Sequence, residues 1–386
     1  MKKTVNIVFI CVVMAVLFAI PCATYLSEKE TFSVFENRNL ALKPELTRDS
    51  VMSGDYFDGA ETYFKDHIVL RDTMLKNYTK LQIDVLKKPV VSDIIVSDEE
   101  LLPYVALKNG EHASNDEINA SVAQLSALSD TVSSYGGEFF YIGVPGQITM
   151  FSELYPDYLS DIPSYNIETE KLFAAALEEN GVNFIAARDI LNKENYFLTD
   201  HHYDLTGGYK IYKAICDAAG VEAVPESEFN YTTLPNTFYG SRSRKIYNLT
   251  PLEDKLTVVD PYTDIPFTRR DNGVDVPSSV INMPKGEDEI VSYTQYMGGD
   301  KAETVIRTNR EELPNILIYG DSYTNAVECF AYLSFNEARY IDLRHYNATS
   351  LCEYVKMYQP DYVFCIRDDG QYVNLEGNGR VSTLHP

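Results

Sequence analysis

The chain has 386 residues, 45% of them hydrophobic and 23% charged. That is the make-up of an ordinary globular protein, with room for one large α/β domain and smaller additions. Its net charge of −24 argues against nucleic acid as a partner, because phosphate binding needs clustered cations. It argues equally against adhesion to anionic lipid headgroups.

Lys2 and Lys3 precede a stretch from Val5 to Leu26 that holds no charge. About twenty apolar residues span a bilayer, and cations on the amino side keep that end in the cytoplasm. A cleaved signal peptide has similar flanks, but no Ala-x-Ala pattern stands near Ile20 to Thr24. The expectation is an uncleaved anchor, with the residues after about Tyr25 outside the cytoplasm. Cys11 and Cys22 belong to this segment; Cys216, Cys329, Cys352 and Cys365 are widely spaced and form no Cys-x-x-Cys pair. They are expected to be buried, reduced thiols rather than a disulfide framework or a thiolate zinc site.

Ser27 to Leu46 is polar and irregular. From Asp55 to about Leu86, Tyr56, Ala60, Tyr63, Phe64, Ile68, Leu75, Tyr78, Leu81 and Val85 recur at helical intervals, which predicts one or two amphipathic helices. An α/β alternation is expected from Ile94-Ile95-Val96, a β-branched run. It continues as a helix over 115–134, a strand over 139–144, a helix over 167–179 and a strand over 182–185. After a helix over 205–218 comes a polar, Gly/Pro-rich insertion at about 224–313. The alternation then resumes as strand 316–319, helix 323–335, strand 339–343, helix 348–357 and strand 361–366. Strand, helix and strand in that order imply right-handed parallel crossovers. The expected fold is a doubly wound, mostly parallel α/β sheet.

Two runs carry chemistry. Asn315 to Phe330 contains an apolar strand, then Gly320-Asp321-Ser322, then a helical pattern through Ala326, Val327 and Phe330. A hydroxyl at that turn lies at the carboxyl end of a sheet, where open α/β folds carry their sites and a helix start favours negative charge. Asp321 and Ser322 are also good cap residues, so capping alone accounts for them equally well. The second run is Thr199-Asp200-His201-His202-Tyr203-Asp204. Asp and His two apart in an extended segment share a side, so Asp200 can orient His202 as base for Ser322, with His201 pointing elsewhere. Metal ligation, or a helix cap with structural imidazoles, fits Asp-His-His as readily.

Further short motifs are Phe35-Glu36-Asn37-Arg38, Ser53-Gly54-Asp55-Tyr56 leading to Asp66 and Arg71, Gly298-Gly299-Asp300, and Asp342-Leu343-Arg344. Together with the two runs, in this order, they resemble the DHHW family of cell-surface proteins. These are relatives of the periplasmic alginate O-acetyltransferases in the SGNH-hydrolase superfamily. The resemblance implies a triad of Ser322, His202 and Asp200; no cofactor is expected, and no metal, because His202 is then committed to Asp200 and Ser322 and no complete ligand set is evident. It implies a cell-surface polysaccharide as partner, a membrane protein that supplies acetyl groups, and either acetyl transfer or ester hydrolysis. A catalytically idle polysaccharide-binding or assembly protein of the same fold is the alternative. Tyr203 stands where the family has tryptophan, and the chain contains no tryptophan; a tyrosine there would offer a flat apolar wall. The oxyanion hole is expected to use the Ser322 amide, with a second donor at Gly240 or at Gly298-Gly299. Arg344 either contacts substrate or pairs with Asp342 or Asp368. The expected organisation is an anchor over 1–26, a juxtamembrane helical segment over 27–90 and an SGNH-like domain over 91–386.

Overall fold

The computed structural model describes residues 2–97, 99–106, 110–261 and 265–383. The chain divides into two compact units, Met1–Val96 with Ser243–Thr250, and Ser97–Arg242 with Pro251–Pro386.

The first unit begins with helix α1 (Lys2–Leu26), which contains Pro21. From Lys3 it is long and apolar enough to cross a membrane, a test that a signal sequence also passes. Strand β1 (Phe32–Ser33) pairs antiparallel with β2 (Arg38–Asn39). Helix α2 (Arg48–Ser53) is capped by Thr47, whose hydroxyl accepts from Ser50 N at 3.1 Å. Helices α3 (Asp55–Asp66) and α4 (Arg71–Lys80) follow, as the apolar periodicity predicts. Strands β3 (Val90–Val91) and β4 (Ile94–Val96) pair antiparallel. Ile94–Val96 is therefore a strand, but it stands outside the main sheet and does not open the α/β alternation.

The short motifs of this unit are joined by charge. Arg38 donates to both Asp66 oxygens at 2.8 and 2.7 Å, and the Ala41 amide adds a third bond at 2.8 Å. Glu36 pairs with Arg38 and with Arg71. Hydrogen bonds from the Arg38 guanidinium hold the Asp66 carboxyl well below the usual carboxylate range, against the opposing effect of burial.

In the second unit come β5 (Leu101–Pro103), α5 (Asn115–Ser133), β6 (Glu138–Val144), α6 (Gln147–Met150), α7 (Asp161–Glu179), β7 (Asn183–Ala186) and α8 (Leu205–Ala219). Then follow β8 (Phe229–Thr233), α9 (Ser241–Lys245), whose residues from Ser243 on belong to the first unit, β9 (Thr257–Pro261), β10 (Thr268–Asp271), β11 (Val274–Val276) and β12 (Glu303–Arg307). The chain closes with β13 (Ile316–Gly320), α10 (Asn325–Ala331), β14 (Glu337–Ile341), α11 (Leu351–Tyr358) and β15 (Tyr362–Asp368).

Among the described residues, eight strands form the main sheet in the order β11-β10-β12-β14-β13-β15-β6-β7. Five of them, β14 to β7 in that order, run parallel. Ile316 to Tyr319 of the central β13 are fully buried, as a strand covered on both faces must be. Helices start where local chemistry caps them. Ser114 and Glu117 form a reciprocal capping box at α5, and Asp204 accepts from Thr206 N and Gly207 N at the start of α8. Helix α7 starts at Asp161 rather than 167, with Pro163 in its first turn where no donor is lost. The segment after Ser322 is a 3-10 turn, Ser322–Thr324, followed by α10, which ends at Ala331 rather than 335.

The polar, Gly/Pro-rich insertion contributes strands of its own. Strands β10 and β12 extend the sheet antiparallel beyond β14, while β8 and β9 form a separate ribbon. Arg269 in β10 is 6% exposed yet fully partnered, by Asp271 at 2.9 Å and by the carbonyls of Ser279 and Met297.

We predict that Asp66→Ala lowers the stability of the first unit by about 2 kcal/mol, because it removes charged hydrogen bonds and orphans the Ala41 amide. Urea unfolding with limited proteolysis of this unit checks it; a variant cut no faster than the wild type contradicts the assignment.

Candidate active site

Strand β13 ends at Gly320, where the backbone passes tightly against β15. A Cβ at this glycine would lie 2.3 Å from Ile366 O. Asp321 then caps the 3-10 turn, its Oδ1 accepting from Tyr323 N at 3.1 Å. Ser322 follows at the carboxyl edge of the parallel strands.

The partner segment is a tight hairpin between β7 and α8. Tyr196 and Tyr203 form an antiparallel bridge, and Phe197 N donates to His202 O. Asp254 holds its bend by accepting from Leu198 N at 3.0 Å and Thr199 N at 2.7 Å. A Cβ at Gly240 would sit 2.2 Å from Thr199 O, so only glycine lets this backbone approach the hairpin. The next residue, Ser241, donates its amide to Asp200 Oδ2 at 2.6 Å.

The three candidate residues meet in one chain. His202 Nδ1 lies 2.6 Å from Asp200 Oδ1, and His202 Nε2 lies 2.7 Å from Ser322 Oγ. A carboxylate only accepts, so Nδ1 carries the proton and Nε2 accepts from the serine hydroxyl. Asp200 is 1% exposed. Burial pushes its carboxyl up, but the electrostatic pull and hydrogen bond of the His202 imidazole, His201 nearby and the Ser241 amide outweigh this and hold it well below its ordinary range. The His202 ring stacks on Tyr293 with centroids 3.7 Å apart and planes 4° from parallel. Arg242 donates from behind to Leu101 O, Asp200 O and Gln147. Tyr293, Ser241, Arg242 and Asp254 carry no motif that singles them out in the sequence.

Other expected residues fall differently. His201 does not point away: the hairpin is bent rather than extended. Its ring centroid is 3.7 Å from that of His202, and its Nδ1 is 2.7 Å from Ser241 Oγ. Tyr203 offers no exposed wall; it is fully buried and donates its hydroxyl to Tyr323 O. Gly240 backs the hairpin, and neither it nor Gly298 or Gly299 lines the cavity at Ser322. Gly298 O instead accepts from Lys301 Nζ at 2.6 Å, and Gly299 borders a one-water-sized cavity with Asp300, Asp321, Glu328 and Asp342. Arg344 lines the Ser322 cavity while pairing with Asp342 and with Asp300 at 2.7 Å.

That cavity has a volume of about 310 Å³ and is bordered by Ser322, His201, Gly146, Gln147, Asn166, Arg242, Arg344, Asp321, Asp368 and Asp369, among others. Asp200, His201 and His202 have the residue types of a metal site, and their ligand atoms lie within 4.8 Å of one another. Both His202 nitrogens are already engaged, so ligation through this residue would break one bond of the chain. Chemically, an oriented imidazole hydrogen-bonded to a hydroxyl can act as its base.

No family model and no curated protein matches the sequence. Solved structures do. A DHHW family protein from Eubacterium siraeum matches with a TM-score of 0.57 and 21% identity, over 76% of this chain and 98% of that one. Bacillus cereus PatB1, solved with a sulfonyl adduct, matches with a TM-score of 0.60 and 20% identity, over 72% of this chain and 95% of its own. The O-acetyltransferase domain of Pseudomonas putida AlgJ overlays at only 0.42 with 12% identity, over 73% of this chain and 92% of that one. The resemblance to the DHHW family holds at the level of the fold.

Behind Asp321, Glu328 is 6% exposed, accepts from Thr324 Oγ1, and is pushed up to about 7 by burial. The native chain then keeps a proton that the unfolded chain releases near pH 4, so stability is lost as pH rises through about 7. Glu328→Gln should flatten the fall in Tm between about pH 5 and pH 8. Parallel melting profiles for variant and wild type would count against this.

Proposed function

We propose that this chain is a serine-dependent acyltransferase or esterase, membrane-anchored and extracytoplasmic, acting on O-acetyl groups of a cell-surface polysaccharide. The observation that carries the reading is the Asp200–His202–Ser322 hydrogen-bond chain, with Ser322 and Arg344 opening on one cavity. Fold likeness to PatB1, which has been captured with a sulfonyl adduct, supports it. The apolar α1 and its two amino-side lysines support anchoring with the second unit outside.

In this mechanism Ser322 Oγ attacks the ester carbonyl carbon while its proton passes to His202 Nε2. Asp200 holds the imidazole in the productive tautomer and stabilises the imidazolium. Collapse of the tetrahedral adduct expels the donor alkoxide, which takes the proton from His202, and leaves acetyl on Ser322. An acceptor hydroxyl, from sugar or from water, then gives its proton to His202 and attacks the acetyl carbonyl. Breaking of the Oγ–acetyl bond and return of the proton regenerate Ser322. Transfer and hydrolysis differ only in that acceptor.

Ser322→Ala and His202→Ala should each lower turnover of a chromogenic acetyl ester by about 10³-fold or more. The double variant should lose little beyond that, because members of one unit are non-additive. A sulfonyl fluoride should label Ser322 in the wild type and leave Ser322→Ala unlabelled at this position. Acyl transfer or hydrolysis that survives Ser322→Ala would overturn the reading.

A further inference from the structure

Attack by Ser322 builds negative charge on the ester oxygen, and the cavity that must receive it is bordered by three carboxyls, Asp321, Asp368 and Asp369. Three carboxylates around a developing oxyanion would oppose the reaction proposed above. The cationic groups of the cavity are drawn elsewhere: Arg242 donates to backbone carbonyls and Gln147, and Arg344 pairs with Asp342 and Asp300. The expected glycines do not border the cavity. Of the side-chain amides at the cavity, Gln147 donates to Glu100 and to Phe197 O, and Asn166 donates to Asp369; the carboxyl edge itself offers a further donor.

Strand register singles out one of the three. Gly320 of β13 pairs with Ile366 of β15, so Ser322 and Asp368 each lie two residues beyond the last matched pair. Asp321 is committed as acceptor for Tyr323 N, and Asp369, 4% exposed, accepts from Asn166 Nδ2 at 3.2 Å. Asp368 is half-buried, and its Oδ1 accepts from Gly370 N at 2.9 Å, which leaves Oδ2 to carry a proton. We propose that Asp368 works as an un-ionised carboxylic acid, donating from Oδ2–H to the carbonyl oxygen of the ester that Ser322 attacks.

The surroundings favour that state. Burial first, then Asp321 and Asp369, push Asp368 up to about 8, against the Gly370 amide and Arg367. Burial pushes its neighbour Asp321 up as well. Tyr323, Tyr196 and Tyr141, which also feel the Asp368 carboxyl, are themselves held well above their ordinary range, chiefly by burial. The Asp368 proton is therefore present below about pH 8 and lost above it. It is not transferred: the serine proton goes to His202, the carbonyl electron pair moves onto oxygen, and collapse returns it as the leaving alkoxide departs.

The proposal rests on Ser322 as nucleophile, and its test separates the two claims. Ester turnover and the rate of Ser322 labelling by a phosphonofluoridate are measured from neutral to alkaline pH in the full chain for wild type, Asp368→Asn and Asp368→Ala. Infrared difference spectra against Asp368→Asn report whether the wild type carries an un-ionised carboxyl at residue 368. Wild-type rates should fall above about pH 8. Asp368→Asn, an amide that still donates, should stay within about tenfold at neutral pH and lose that alkaline fall. Asp368→Ala should drop by about 10²–10³-fold, the usual effect of removing one oxyanion donor. Labelling at Ser322 that is indifferent to residue 368, an alkaline fall that persists in Asp368→Asn, or no un-ionised carboxyl band at neutral pH overturns the proposal and leaves the nucleophile standing. Absence of both labelling and turnover, with that band present, removes the nucleophile and with it the donor role of Asp368.

Discussion

A carboxylate buried at 1% exposure has to be satisfied completely, and the candidate site is built around meeting that demand at Asp200. Leaving such a charge unpaired costs more than most single interactions can return. Two bonds come from its own hairpin, the His202 amide and imidazole, and one from the Ser241 amide across the fold. The third requires the 240–241 backbone to press on Thr199, which is why Gly240 has no room for a side chain. Asp254 and Arg242 hold the hairpin from two further directions. The imidazole is thereby held between an anion on one side and a hydroxyl on the other.

Much of this is legible in the sequence where the cause is local. Short apolar runs followed by Gly-Asp-Ser or by capped helical patterns give β6, β7, β13, β14 and β15 and their helices nearly in place. The meeting of Asp200, His202 and Ser322 is less so: both runs fit a cap, and Asp-His-His fits a metal site, as readily, and the triad is singled out only by the family resemblance. The strands of the insertion are not legible. Thr268-Arg269-Arg270-Asp271 carries no apolar alternation, because its buried guanidinium is satisfied by carbonyls and an aspartate that only tertiary structure brings together. Tyr203 misleads for a related reason. Nothing in the run tells a substrate wall from a ring buried under Tyr323. His201 depends on whether the backbone is extended or bent, which the Asp254 cap decides from more than fifty residues away.

Charge in the second unit is managed by withholding ionisation as much as by pairing. Glu100, pushed up to about 9, Glu328 to about 7 and Asp369 to about 6 are all raised chiefly by burial. An acidic chain therefore carries less negative charge inside than its composition suggests. Arg339 and Arg344 instead pair directly with Glu337 and Asp342. The two strategies meet at the serine turn, where Asp321 borders both the Ser322 cavity and the smaller one at Glu328.

The order of strands also sets an order of events in time. Strand β15, close to the end of the chain, lies between β13 and β6, pairing Tyr362 with Glu138 on one side and with Ile316 on the other. Until it is in place, β6–β7 and β14–β13 are two parallel pairs with no shared hydrogen bonds. The loop closed by the Tyr362–Glu138 pairing is among the longest in the sheet, and such closures are slow because their entropy is lost before contacts repay it. A chain that emerges amino end first thus presents Asp200 and His202 long before the sheet can hold Ser322 opposite them. Ser322 and His202 come from segments 120 residues apart, so their meeting follows long-range closure of the sheet rather than preceding it.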